Sequence, residues 1–396
     1  MLFSEVFVQD SLKERLVSIV KSRRVSHAQL FLGQEGTHAL GLALAYAQYI
    51  NCTNKTDSDS CGVCPSCVKY NNLAHPDLHF FFPNTATKTV SKDNESKHFY
   101  NEWRELFKTT NGLFSLEDWF AKLGVENKQA IINKLDVERI LEMQTTKAYE
   151  ADYKVFIIWL PEKIYPSMAH KLLKSLEEPD GKTLFLLVSE NQEQILPTIV
   201  SRLQLVKIPK FNTQQFADIV ARKLGCDRDK AIEIANLTDN NLVDAVNGER
   251  YQSDAKEYYT LFVGMMRSAY RICYFTAYPA KVQFSETIDL IKKLEGLGRE
   301  KQKSFLQYAL ILVRKCILMN AGGSQLVQSS EEEAAWLANF HPYINSRNGE
   351  KVVEVINDAI RDIGMNAHAG ILFTDLTLLL GQLIQMGDPK LKNNKK

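Results

Sequence analysis

The chain has 396 residues, 45% of them apolar and 24% charged, with a formal net charge of +1. This length accommodates two or three domains, and the composition excludes a disordered or collagen-like chain. Near-neutral charge excludes a strongly basic surface, so any contact with nucleic acid would come from a local patch or a neighbouring subunit.

Residues 1–20 lack the basic start, apolar run and small-residue cleavage site of a signal peptide. The most apolar late run, 371–384, carries Asp375 and is too short to span a bilayer. A cytoplasmic protein without a membrane partner is expected. The seven cysteines are an odd total without a signal peptide, which argues against a disulfide framework. Three of them, Cys226, Cys273 and Cys316, lie in helical patterns and read as small buried apolar residues.

Residues 10–23 predict an opening helix, with Ser11 and Glu14 at capping-box spacing and Leu12, Leu16, Ile19 and Val20 on one face. Residues 28–32 read as a short buried strand, Gly33 to Gly36 as a glycine loop, and the Ala/Leu-rich run to Ile50 as a helix. That layout is a phosphate-binding loop, in which backbone N–H groups and a helix N-terminus cradle phosphates. The chemistry does not follow the shape. Counted from Gly33, a working loop needs a lysine and a hydroxyl where this chain has Ala39 and Leu40, after His38.

Next, Cys52, Cys61, Cys64 and Cys67 follow the pattern C-x8-C-x2-C-x2-C. Four thiolates suit one tetrahedral Zn²⁺, and the absence of an open position implies a structural metal. Gly62, Pro65 and Ser66 supply the tight turns, while His75 and His79 are reserve ligands. Residues 77–82 predict a second strand. From 83 to about 132 the character changes: a polar stretch at 88–97 precedes Phe99, Trp103 and Phe107 at four-residue spacing, and a second helix start at Ser115 and Asp118 precedes Trp119 and Phe120. This segment is too aromatic for a disordered linker, and its rings suit either local packing or a partner surface.

A helix is expected at 135–147 and strands at 154–160, 183–188 and 203–208, with helices 167–178 and 195–202 between them. Strands alternating with helices make a doubly wound α/β domain. A catalytic site of the phosphate-loop kind would also end its central strand in an acidic pair for Mg²⁺. Trp159 and Leu160 stand there, and Glu162 lies beyond the strand end. After Pro209 only helices are predicted: 213–224, 228–237 and 240–246 as a small unit, then 256–274, 299–319, 351–363 and 371–385, with a basic tail at Lys390, Lys392, Lys395 and Lys396.

Six stretches in order, HAQLFLGQEG (27–36), the four-cysteine module, AHPDLHF (74–80), LLKSLEEP (172–179), FLLVSE (185–190) and ILPTIVSR (195–202), resemble the δ′-type clamp-loader subunits of bacterial DNA polymerase III, a degenerate branch of the AAA+ family. The resemblance implies a degenerate AAA+ base over 1–209, with a zinc module at 52–67 and an insertion at about 83–132. It further implies a helical lid over 210–250 and an all-helical collar and oligomerisation domain over 251–396. It implies a non-hydrolysing stator in a ring with γ/τ and δ subunits, which loads the β sliding clamp onto primer–template DNA. ATP is then bound by the neighbouring subunit, and Arg202, preceded by Ser201, serves that site as an arginine finger in trans. Gly33 and Gly36 remain from a phosphate loop that no longer cuts nucleotide.

Three departures from the family stand out. Leu203 replaces the cysteine that follows the arginine, the insertion has no counterpart, and LTDNNLVDAV (237–246) lacks the lid arginine of ATP-binding relatives. Two other readings are a γ/τ-type ATPase, weakened by the missing lysine, hydroxyl and acidic pair, and a zinc-ribbon nucleic-acid-binding scaffold. Neutral charge, and the lack of basic residues interleaved with aromatics around 61–67, count against the scaffold.

Overall fold

The computed structural model describes residues 1–88, 90, 94–125, 128, 130–274, 280–327 and 329–390. The tail residues Lys392, Lys395 and Lys396, and parts of the insertion, lie outside the described residues. The chain divides into two units, Met1–Val246 and Asn247–Lys396.

In the first unit, β1 (Ala28–Gly33), β2 (Leu78–Phe81), β3 (Lys154–Trp159), β4 (Thr183–Ser189) and β5 (Gln204–Ile208) form one sheet in the order β2-β3-β4-β1-β5. Every pairing is parallel, with Leu30 beside Leu187, Ile157 beside Leu186 and Phe31 beside Val206. The apolar runs follow from burial on both faces. Along β3, Val155 and Ile157 face one core with Tyr46 and Leu42, while Phe156 and Ile158 face another with Val137, Ile140, Met168 and Leu172. Burying each such side chain contributes about 1.5–3 kcal/mol. The helix Ala39–Asn51 is buried along its whole length, which explains why it is rich in Ala and Leu with no polar stripe.

Two local expectations are corrected. The opening helix is Asp10–Lys21, with Gln9 at its N-cap, so Ser11 lies inside the first turn and does not cap it. Asp10 in that turn favours the earlier start through the helix dipole. The expected helix 167–178 breaks into Pro166–Ala169, a 3-10 turn His170–Leu172, and Leu173–Glu177. Met168, Leu172 and Leu176 still reach the sheet through the tighter turn.

The insertion leaves and rejoins the domain at one place, where Asn84 and Ile131 exchange backbone bonds of 3.0 and 3.1 Å. Beside that clasp, buried Asp136 accepts from the Ser96 N–H (2.7 Å) and the Asn84 amide (2.8 Å), and burial pushes its carboxyl up to about 6. Within the insertion, Tyr100–Thr110 and Leu116–Leu123 are helices. Ser115 and Asp118 form the expected capping box. Trp103, Phe107, Trp119 and Phe120 are all buried in the domain core, so the insertion's aromatic content is local packing.

Helices Thr213–Leu224, Arg228–Leu237 and Leu242–Val246 follow, the first two starting at Asn212 and Asp227 caps. Their cluster of Phe216, Val220, Ala231 and Leu242 also takes in Leu113 of the insertion.

The second unit contains helices Gly248–Tyr274, Ala280–Gly296, Arg299–Asn320, Glu331–Phe340, Gly349–Gly364 and Ala369–Gly387. Its first helix begins inside the stretch expected as lid, and Ala280–Gly296 and Glu331–Phe340 are further helices within the stretch expected to be all-helical. Ala369–Gly387 has the length and composition to cross a membrane, but Phe373, Leu376, Leu380 and Ile384 are buried in this unit's core and Asp375 is exposed. Gly381 lets it approach Gly248–Tyr274 closely, since a Cβ there would lie 2.7 Å from the Ala269 carbonyl oxygen.

Candidate functional site

The four-cysteine cluster is built locally. Cys52 ends the buried helix, a loop brings back Cys61, and Cys64 caps the short helix Pro65–Asn71, which carries Cys67. Sγ–Sγ distances are 3.6 Å (Cys52–Cys61), 4.0 Å (Cys52–Cys64) and 3.9 Å (Cys61–Cys67), and all four sulfurs lie within 4.8 Å of one another. Zn–S bonds of about 2.3 Å place tetrahedral sulfurs about 3.8 Å apart, so the spacing fits that ion. The N–H groups of Cys61, Cys64 and Cys67 donate to the sulfurs of Cys52, Cys61 and Cys64 at 3.3–3.4 Å, which favours thiolates. His75 and His79 are elsewhere: His75 packs on Tyr70 and accepts from the Asp77 N–H, and His79 lies against Phe156.

The glycine loop at the end of β1 has the expected turn, with Gly36 at φ +80° and the Thr37 hydroxyl donating to the Gln34 carbonyl at 2.8 Å. The concavity above it is filled by the chain itself. His38 is fully buried. Its Nδ1 accepts the Phe7 N–H at 3.1 Å, so Nε2 carries the proton and donates to the Asn111 carbonyl at 2.8 Å. Burial lowers the imidazole to about 4, against the Asn111 bond, which favours the charged form. From Asn111 the insertion runs across the cradle. Leu113 enters the cluster of the following helices, and Phe114 lies 5.3 Å from the Trp159 ring.

Trp159, standing where an acidic residue would hold Mg²⁺, is part of an aromatic cluster with Trp103 and Phe114. From the other side, Asn241 closes on Gly36. A Cβ at Gly36 would lie 2.1 Å from Asn241 Oδ1, and the Leu242 N–H donates to the Gly36 carbonyl at 3.0 Å. About 20 Å³ of space remains among Gly33–Thr37, Gly112, Phe114, Ser115 and Val243, room for about one water.

The electrostatics also oppose a phosphate. Asp244 is pushed up to about 7, first by burial and then by the carboxylates of Glu35, Asp118 and Glu117. Glu162 does not line the cradle; it is half-buried, desolvation raises its carboxyl, and it accepts the Glu190 N–H at 3.3 Å.

Arg202 follows the helix Pro197–Val200 at the entrance to β5 and is partly exposed. Its Nε and Nη2 both lie 2.5 Å from Glu177 Oε1, and Nη1 donates to the Thr198 carbonyl at 2.8 Å and to Ser201 Oγ at 3.2 Å. Leu203 packs against the core beneath, a packing role for the residue that departs from the family pattern. Sequence reasoning located the glycine loop, Trp159, Arg202 and the cysteines. It missed Asn111–Ser115, Asn241 and Glu177. The available signal was the coincidence of a lost acidic pair with an aromatic insertion.

The chain is 25% identical to the DNA polymerase III subunit delta′ of Bacillus subtilis over 253 residues, 63% of either chain. It is 25% identical over 250 residues to the DNA polymerase III subunit gamma/tau of Mycoplasma pneumoniae, 62% of this chain and 30% of that one. It therefore spans less than two thirds of the length of either relative. A Thermotoga maritima DNA polymerase III gamma-subunit-related protein has a TM-score of 0.39 at 13% identity, over 94% of this chain and 99% of that one. The family model described as DNA polymerase III, delta subunit matches residues 8–212, more than half of the 396. The chain belongs to the DNA polymerase III delta-subunit family and is a delta′-like member of it.

Proposed function

We propose that this protein is a non-hydrolysing clamp-loader subunit, a stator beside γ/τ- and δ-type partners in a ring that loads a β sliding clamp onto primed DNA. In this reading residues 1–209 are a degenerate AAA+ base, 210–250 a lid and 251–396 a collar. The observation that carries it is the cradle at Gly33–Thr37, filled by Asn111–Ser115 and closed by Asn241, with Ala39 and Leu40 in place of the motif's lysine and hydroxyl and Trp159 and Leu160 in place of its acidic pair. A glycine loop so filled supports a contribution to ATP turnover through a neighbour's site. Arg202 is the group for that: a permanently charged guanidinium stabilises charge on a transferring phosphoryl group, and such trans arginines are worth about 10³–10⁵ in rate where measured. Cys52, Cys61, Cys64 and Cys67 would hold a structural Zn²⁺ that fixes the excursion between the first crossover helix and β2.

Titrating the purified chain with a fluorescent ATP analogue tests the reading. No saturable binding is expected up to about 1 mM, and no turnover by the isolated chain. In a ring reconstituted with γ/τ- and δ-type partners, Arg202→Ala should abolish turnover at the adjoining site. Saturable binding with turnover by the isolated chain would refute the proposal.

A further inference from the structure

We propose that Glu177 holds Arg202 in reserve, its carboxylate standing in for the phosphoryl group the arginine would meet on a neighbouring subunit. This rests on the trans-arginine reading above.

The geometry divides the guanidinium into two edges. Nη1 is committed to its own chain. It bonds the Thr198 carbonyl, one of the terminal carbonyls of the four-residue helix Pro197–Val200, and the Ser201 hydroxyl. This edge acts as a C-terminal cap, and neither partner is an anion. The other edge, Nε with Nη2, is the one that recognises carboxylates and phosphates through parallel N–H bonds. Here both of its nitrogens converge on a single oxygen, Glu177 Oε1. Two donors sharing one acceptor is a poorer match than two donors on two oxygens, which a phosphoryl group presents.

Exchange is also accessible. Side-chain exposure is 31% for Arg202 and 47% for Glu177, so water screens the pair and its opening costs little. The fixed edge keeps the side chain directed while the second edge changes partner. Glu177 ends the segment Leu173–Glu177 and is followed by Glu178 and Pro179, so its position comes from a different element than the arginine's. Relative movement of those two elements on docking would open the pair. Glu177 is thus a positioning residue that neutralises the arginine until a better anion arrives.

The test uses the full chain in a reconstituted ring, with ATP turnover followed against ATP concentration for wild type, Glu177→Gln, Arg202→Ala and the double variant. Gln keeps the size and an acceptor but removes the charge. Glu177→Gln should raise turnover at subsaturating ATP about two- to fivefold, the size expected for an exposed ion pair. The gain should vanish in the Arg202→Ala background. In the isolated chain, phenylglyoxal should modify Arg202 faster in Glu177→Gln by a similar factor, a readout that needs no partner. Unchanged or lower turnover in Glu177→Gln, with Arg202→Ala still defective, overturns the holding role alone. No defect in Arg202→Ala removes the trans-arginine reading and this one with it.

Discussion

Replacing His38 with glutamine tests whether the plug over the glycine loop is the buried, neutral contact that the structure contains. The imidazole is lowered from 6.5 to about 4 in the fold. Histidine is charged when protonated, so on acidification the unfolded chain takes up this proton first. The group's contribution to stability is therefore intact above pH 6.5 and is lost as pH falls through the interval down to about 4. Integrating between these values, the loss is negligible at pH 7, about 2 kcal/mol at pH 5 and about 3 kcal/mol at pH 4. Glutamine has a donor for the Asn111 carbonyl and an acceptor for the Phe7 N–H but does not titrate.

Asp136 and Asp244 are raised to about 6 and about 7, so their contributions run the opposite way and grow as pH falls. They are common to both proteins and cancel in the difference. The assay is urea unfolding at pH 7 and pH 5, followed by tryptophan fluorescence, since Trp103, Trp119 and Trp159 are buried in the first unit. Between those pH values the wild type should lose about 2 kcal/mol more than His38→Gln. Parallel pH dependence in the two proteins would refute the reasoning.

Two further outcomes are expected. Purified protein should carry about one equivalent of zinc, and chelation should unfold residues 52–67 as seen by proteolysis, because structural Zn²⁺ contributes on the order of 10–16 kcal/mol in small domains. Metal analysis finding none would refute it. Trp159→Asp, which places an acidic residue at the end of β3, should cost about 3–5 kcal/mol through the aromatic cavity alone, with a buried carboxylate adding to it. It should confer no ATP turnover, and wild-type stability in thermal unfolding would contradict the packing.

Much of the fold was legible because its determinants are local. Apolar runs marked β3 and β4 most clearly, shorter ones marked the other three strands, and the expected bounds of Thr213–Leu224 and Arg228–Leu237 fall where side-chain caps at Asn212 and Asp227 begin them. The cysteine cluster was legible for the same reason, since four sulfurs within sixteen residues leave few arrangements. The filled cradle was not legible. His38 meets Asn111 across 73 residues of sequence, and no periodicity links a loop residue to the carbonyl that closes it. Nor did spacing reveal Glu177 and Arg202, which belong to separate elements 25 residues apart. The break inside 167–178 escaped because a 3-10 turn preserves the apolar pattern that suggested one helix.

The clasp between Asn84 and Ile131 makes the insertion easier to accommodate than to remove. A segment whose two ends bond to each other can enter a domain without disturbing the strand register, because loop closure costs little more as length grows. Leaving is another matter. With Trp103 and Phe114 packed on Trp159, excision would expose that ring, and a charged residue does not fit among these rings. A detour joined at one point is thereby locked in by its own aromatic packing.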